Sequence, residues 1–174
     1  QKDRCVKALD SYVSYFGDGD IEIYSAPGRT EICGNHTDHQ HGKVIAAAVN
    51  MDGIAIAKKS EDNYVRIVSG DNAEIAVSIE NLELDEKDRG TSVALIKGML
   101  NGLKGVGHTV GGFNAYITSD VSVGSGLSSS ASFEVLIGNI ISGLYNDMII
   151  DPVQIAMMGQ YAENIFYGKP SGLM

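Results

Sequence analysis

Residues Val123-Gly124-Ser125-Gly126-Leu127-Ser128-Ser129-Ser130-Ala131-Ser132 join a glycine-rich turn to a serine-rich run and then to an apolar stretch of helical period. Glycines let backbone come close to a ligand. A helix N-terminus carries unpaired N–H groups and a partial positive charge. Serine hydroxyls in its first turn can bond phosphate or a magnesium ion. The segment therefore has the makings of a phosphate cradle. A flexible linker is a poor reading, because the run joins an apolar strand to an apolar helix with no charge or proline between them. A tight packing turn remains open. A P-loop is excluded, since the Gly-Lys-Ser/Thr ending is missing. A dinucleotide fingerprint is excluded too, because neither the third glycine nor a later strand with its ribose-binding acid is present.

A second stretch, residues 28–42, crowds polar groups between apolar segments. A carboxylate such as Asp38 can accept from two vicinal hydroxyls at once, which suits a polyol. His36 can donate or accept, and Arg29 supplies a fixed cation near reacting groups. Two other readings stay open, a solvated loop and a metal site built from His36, His39 and His41. The metal site has no nearby thiolate pair and no helix to present its imidazoles. Together the two stretches imply the chemistry of a small-molecule kinase.

These residues need a scaffold, and the chain has the composition for one. Its 174 residues suit one domain or a little more, and an apolar fraction of 44% gives a real core. A net charge of −9 argues against a nucleic-acid or anionic-membrane surface, so phosphate would be held locally. Two cysteines, Cys5 and Cys33, do not make a disulfide scaffold and are expected to be reduced. No signal peptide or membrane-length apolar run is present, which makes the cytoplasm the expected location. Both ends read as cut, with Gln1 first and Ser171-Gly172-Leu173-Met174 like an interrupted loop.

Hydrophobic spacing predicts a helix over 2–16 and a strand over 21–24 that Pro27-Gly28 ends. Apolar runs at 44–49 and 53–58 predict two paired strands about Asn50-Met51-Asp52. Further strands are expected at 64–68, 75–79 and 113–118. Residues 81–89 read as a solvated acidic loop. Helices are expected at 91–103, at 128–144 and from Asp151 to about residue 166. Asp151 is a good N-cap there, with Pro152 in the first turn and Gln154 placed to complete a capping box. The class is α+β, a mixed sheet with helices packed on one face.

Gly28-Arg29 through Gly34-Asn35-His36-Thr37-Asp38 resembles the galactokinase signature, usually Gly-Arg-x-Asn-Leu-Ile-Gly-Glu-His-Thr-Asp-Tyr. The 124–132 segment resembles the ATP motif of the wider GHMP kinase superfamily. Ala162-Glu163-Asn164 followed by Gly172-Leu173-Met174 resembles the third stretch, usually Ala-Glu-Asn…Cys-Gly-Ile-Met-Asp-Gln. The resemblance spans nearly the whole chain, in order. It implies a GHMP N-terminal domain over 1–174 with the C-terminal domain absent, using ATP and Mg²⁺ to phosphorylate the anomeric hydroxyl of galactose.

By this resemblance Arg29 stabilises the reacting centre, and Asn35, His36, Thr37 and Asp38 line the sugar site. Gly124, Ser125, Gly126, Leu127, Ser128, Ser129 and Ser130 wrap the phosphates, and Ser130 and Glu163 hold the metal. Ser69 lies near the nucleotide. The catalytic Asp would follow Met174, so a chain ending there is expected to be inactive alone. Asn35 stands where the family has Glu, Glu31 where it has Asn, His39 where it has Tyr and Ser122 where it commonly has Pro. These departures bear on sugar identity more than on reaction type. A kinase for a uronic acid or an N-acetyl sugar, or a non-catalytic sugar and ATP sensor, remain alternatives. The partners implied are small molecules only, and the oligomeric state is left open.

Overall fold

The computed structural model describes residues 2–70, 72–122, 124 and 126–174. Helix α1 (Lys2–Phe16) leads into strand β1 (Glu22–Cys33), followed by β2 (Ile45–Lys59), β3 (Tyr64–Ser69) and β4 (Ile75–Ser78). Then come α2 (Ser92–Gly105), β5 (Phe113–Ser119), α3 (Ser129–Asn146) and α4 (Pro152–Tyr161), which continues as a π-helical turn, Ala162–Tyr167. The strands form one sheet in the order β1-β2-β5-β3-β4. The β3–β5 pair is parallel and the rest are antiparallel. This is the mixed sheet of an α+β protein.

Alternation along the strands sorts side chains to two faces. Ala55 and Ala57 of β2, with Ala115 and Ile117 of β5, meet the main core, where Ile137, Ile140 and Ile141 of α3 are fully buried. Each such isoleucine contributes roughly 1.5–3 kcal/mol by burial. The small alanines let α3 lie close to the sheet, and Ser132 Oγ donates to Ala26 O at 2.9 Å where α3 crosses β1. Ile56 and Tyr116 point the other way, onto Ala8 and Tyr12 of α1. Arg4 of α1 bridges Asp52 and Asp120. The expectation of helices on one face therefore holds for the main core but not for α1, whose short apolar stripe covers the back of β2 and β5.

Three other differences have local causes. Strand β1 runs through Pro27-Gly28 to Cys33, with register irregularities at Pro27/Arg29 and Glu31/Cys33. β1 is an edge strand, where proline's missing N–H costs no ladder bond. Residues 45–59 form one strand instead of two paired ones: Asp52 pairs with Pro27 and accepts from Asp120 N–H, and the chain passes through Asn50 and Met51 at the register irregularity without turning back. Asp151 caps α4 by accepting from Val153 N–H at 2.7 Å, but Gln154 does not close the box. Its Oε1 lies 2.6 Å from His108 Nε2, tying α4 to the segment before β5. Cys5 and Cys33 are free thiols. Among the described residues, no helix is long and apolar enough to cross a membrane.

Candidate functional site

The glycine-serine turn sits at the N-terminus of α3. Gly124 and Gly126 adopt φ of +76° and +78°, conformations that favour glycine. Ser128 follows in the left-handed region and its side chain makes no capping bond. The first helical bond of α3 runs from Ser132 N–H to Ser128 O. The N–H groups ahead of it thus face outward without a side-chain cap, the arrangement that receives an anion. Ser125 lies outside the described residues.

β1 passes directly beneath this turn. Arg29 N–H donates to Leu127 O at 3.0 Å, and Arg29 Nη1 donates to Gly126 O at 3.1 Å. Gly28 makes the approach possible, since a Cβ there would stand 2.9 Å from Leu127 O. Arg29 Nε is buried without a protein partner. The continuation of β1 and the 3₁₀ turn Asp38–Gln40 carry the polar loop to the same place.

A cleft of about 410 Å³ results, lined by Arg29, His36, Asp38, Gly124, Gly126, Ser128, Ser129, Ser130 and Glu163, with His39 and Lys169. Ser130 Oγ donates to Glu163 Oε1 at 2.7 Å. Glu163 is presented by the π-helical turn, and its carbonyl accepts from the N–H groups of Gly168 and Lys169. A hydroxyl and a carboxylate oxygen side by side suit a hard cation that keeps its other positions for water and phosphate. Asp38 Oδ2 accepts from Met174 N–H at 3.0 Å.

Other expected residues are placed elsewhere. Asn35 lines a neighbouring pocket of about 310 Å³ that shares only His36 and Gly126 with the cleft. Thr37 holds its own turn: its hydroxyl donates to Gly34 O at 2.8 Å, and its carbonyl accepts from Gln40 and Gly42. Leu127 contributes its carbonyl to Arg29 and does not line the cleft. Ser69 lines a pocket of about 600 Å³ beyond Ser129 and Ser130, walled by Ile67, Ile117, Phe133, Leu136 and Tyr167. Such apolar walls suit a flat heterocycle. Among the described residues, no group of three His, Cys, Asp or Glu could hold a metal, so the three-histidine site is not formed.

Two residues of this region escaped the sequence reading. Lys169 had no local signal. Glu134 had one, as a carboxylate one turn beyond Ser130 in a very apolar helix. It is only 3% exposed, its Oε1 has no partner, and its Oε2 would stand 3.0 Å from a Cβ on Gly159. Burial, with Glu163 adding to it, pushes its carboxyl up to about 9. A neutral carboxyl in the fold and an ionised one in the unfolded chain make stability fall as pH rises between those two values. The slope is about 1.4 kcal/mol per pH unit. Glu134→Gln is therefore expected to stabilise the chain more at pH 8 than at pH 5. Melting curves at the two pH values check this, and equal shifts would refute it.

The galactokinase galactose-binding signature matches residues 10–59, and the GHMP kinase N-terminal domain matches residues 94–174. A galactokinase of Ligilactobacillus salivarius is 37% identical over 169 residues, covering 95% of this chain and 43% of the relative. A galactokinase of Clostridium tetani is 31% identical, covering 94% of this chain and 41% of the relative. The crystal structure of Lactococcus lactis galactokinase complexed with galactose superposes with a TM-score of 0.88 at 30% identity, over 97% of this chain and 44% of that one. Methanococcus jannaschii mevalonate kinase shares the fold, with a TM-score of 0.71 at 22% identity over 88% of this chain and 49% of that one. The chain thus spans less than half the length of each of these four proteins.

Proposed function

We propose, on the premise that the chain belongs to the galactokinase branch of the GHMP kinases, that the protein transfers the γ-phosphoryl group of ATP to the anomeric hydroxyl of galactose. The observation that carries this reading is the one cleft in which Arg29, His36 and Asp38 face Gly124, Gly126, Ser128, Ser129, Ser130 and Glu163. Phosphoryl transfer asks mainly for positioning and charge neutralisation. The first turn of α3 offers N–H groups to phosphate oxygens. Ser130 and Glu163 would hold Mg²⁺, whose bound charge would offset that of the phosphates. The pocket beyond Ser129 and Ser130 receives the base, with Ser69 at its wall. Asp38 accepts from sugar hydroxyls, and Arg29 faces the oxygen at which charge develops.

The test is sugar-dependent ADP release by the full-length protein that carries this chain, across a panel of galactose, galacturonic acid, N-acetylgalactosamine and glucose. Galactose is expected to lead. Turnover with none of these sugars, despite nucleotide binding, would overturn the reading in favour of a sensor. Asp38→Ala is expected to raise the KM for sugar by roughly 10-fold or more, the cost of a charge-assisted hydrogen bond, with the KM for ATP unchanged. A rise confined to ATP would place Asp38 on the wrong side of the cleft.

A further inference from the structure

Glu31 sits on β1 opposite Ala46, next to the register irregularity before Cys33. Its side chain is only 10% exposed, although it lies on the exposed arm of the sheet. Oε1 and Oε2 accept from the backbone N–H of His36 at 2.9 and 3.0 Å. Oε2 also stands 3.0 Å from His36 Nε2. One carboxylate thus grips a single residue by its main chain and by its ring.

The gripped residue is strained. Asn35 and His36 have φ of +57° and +52°, two consecutive left-handed residues without glycine. Such conformations persist only where surrounding groups hold them. Compared with the usual signature, acid and amide have exchanged places at 31 and 35. An amide at 31 would offer one acceptor oxygen, whereas a carboxylate offers two and serves both N–H groups of His36.

We propose that Glu31 is a positioning residue for sugar recognition, fixing the His36 ring with Nε2 protonated and leaving Nδ1 as the acceptor for a sugar hydroxyl. A carboxylate is an acceptor only, so the shared hydrogen is carried by His36. In a neutral imidazole the other nitrogen then bears the lone pair. The ring is 63% exposed and lines the cleft beside Arg29 and Asp38, so a ligand can reach it. Arg29 donates only, Asp38 accepts, and His36 becomes a second, neutral acceptor. A sugar hydroxyl has a hydrogen to give to each acceptor and lone pairs for the guanidinium. This deepens the galactose-kinase reading and rests on it.

Two measurements on the full chain test the proposal. Nitrogen-15 NMR of the ring, without ligand and at alkaline pH, reads the tautomer. Calorimetric titrations with galactose and with Mg-ATP read the two affinities. In the wild type His36 is expected to carry its proton on Nε2. Glu31→Ala is expected to abolish that preference and to weaken galactose binding roughly 10-fold, the worth of one hydrogen bond to a bound hydroxyl, with Mg-ATP affinity unchanged. Glu31→Gln, left with one acceptor oxygen for the two N–H groups of His36, is expected to fall between the wild type and Glu31→Ala in both properties. A wild-type proton on Nδ1 would overturn the proposal, as would unchanged galactose affinity in Glu31→Ala or an equal loss for galactose and Mg-ATP. A wild type that binds no sugar would overturn the galactose reading, and the tautomer still decides the grip of Glu31 on His36.

Discussion

Arg29→Ala is expected to lower kcat for galactose phosphorylation by roughly 10²–10³-fold, the usual cost of removing one preorganised donor from a site of developing charge. The arginine is held in advance of the reaction. Its backbone N–H bonds Leu127 O and its Nη1 bonds Gly126 O, so the guanidinium is pinned to the turn that would hold the phosphates. Its Nε is buried and unpartnered, a donor kept dry in the protein. Arg29→Lys is not expected to restore activity, because an ammonium cannot reproduce the fixed fork. Steady-state rates with sugar and ATP each varied separate the effects. A variant with normal kcat and raised KM for both substrates would show that Arg29 binds ground states and does not act on the transition state.

The turn that opens α3 was legible in the sequence because its signals are local. Glycines at 124 and 126 take positive φ in the structure, and the serines begin the helix, where their order in the chain places them. The strands flanking the polar loop were less legible. Pro27 reads as a stop for a strand, yet its effect depends on whether the strand lies at an edge, which only the order β1-β2-β5-β3-β4 decides. Asn50-Met51-Asp52 reads as a turn. Asp52 is instead satisfied across the structure, by Ser25 Oγ at 2.8 Å and by Arg4 of α1. A polar residue whose partners lie dozens of residues away carries no local mark of them.

The same limit applies within the polar loop. His36 and Asp38 reach the cleft, while Thr37 is spent on its own turn and Asn35 faces the adjoining pocket. Two left-handed residues in succession rotate neighbouring side chains away from each other, so a run of four candidate ligands in sequence is not a run in space. The grip of Glu31 on His36 follows from that turn and is invisible without it. Glu134 is a different case. Its spacing of four from Ser130 put it on the cradle's face of α3, and its charge in an apolar helix was readable. What the sequence lacked was Gly159 on the facing element, which leaves room for its carboxyl, and Glu163, which adds to the cost of its burial.

Glu163→Gln is expected to cost several kcal/mol of charge stabilisation, the share a bound metal supplies, or roughly 10²–10³-fold in kcat/KM for Mg-ATP. The geometry separates its effect from that of the sugar loop. Glu163 bonds Ser130 Oγ at 2.7 Å and is nearly buried, 7% exposed, so the pair is fixed before any ligand arrives. Replacing one carboxylate oxygen by an amide nitrogen keeps the shape and removes both the charge and one cation-binding oxygen. The hydroxyl of Ser130 then faces a neutral amide, whose one oxygen takes the place of the carboxylate's two. Ser130→Ala removes the hydroxyl oxygen instead and is expected to cost less, because the carboxylate charge stays. Titration of Mg²⁺ at fixed ATP should move to higher concentrations in both variants, while galactose affinity, read by calorimetry without nucleotide, should match the wild type. If Glu163→Gln left the Mg²⁺ dependence where it was and weakened galactose binding instead, the carboxylate would belong to the sugar side, and the division of the cleft between Glu163 and Asp38 would have to be redrawn.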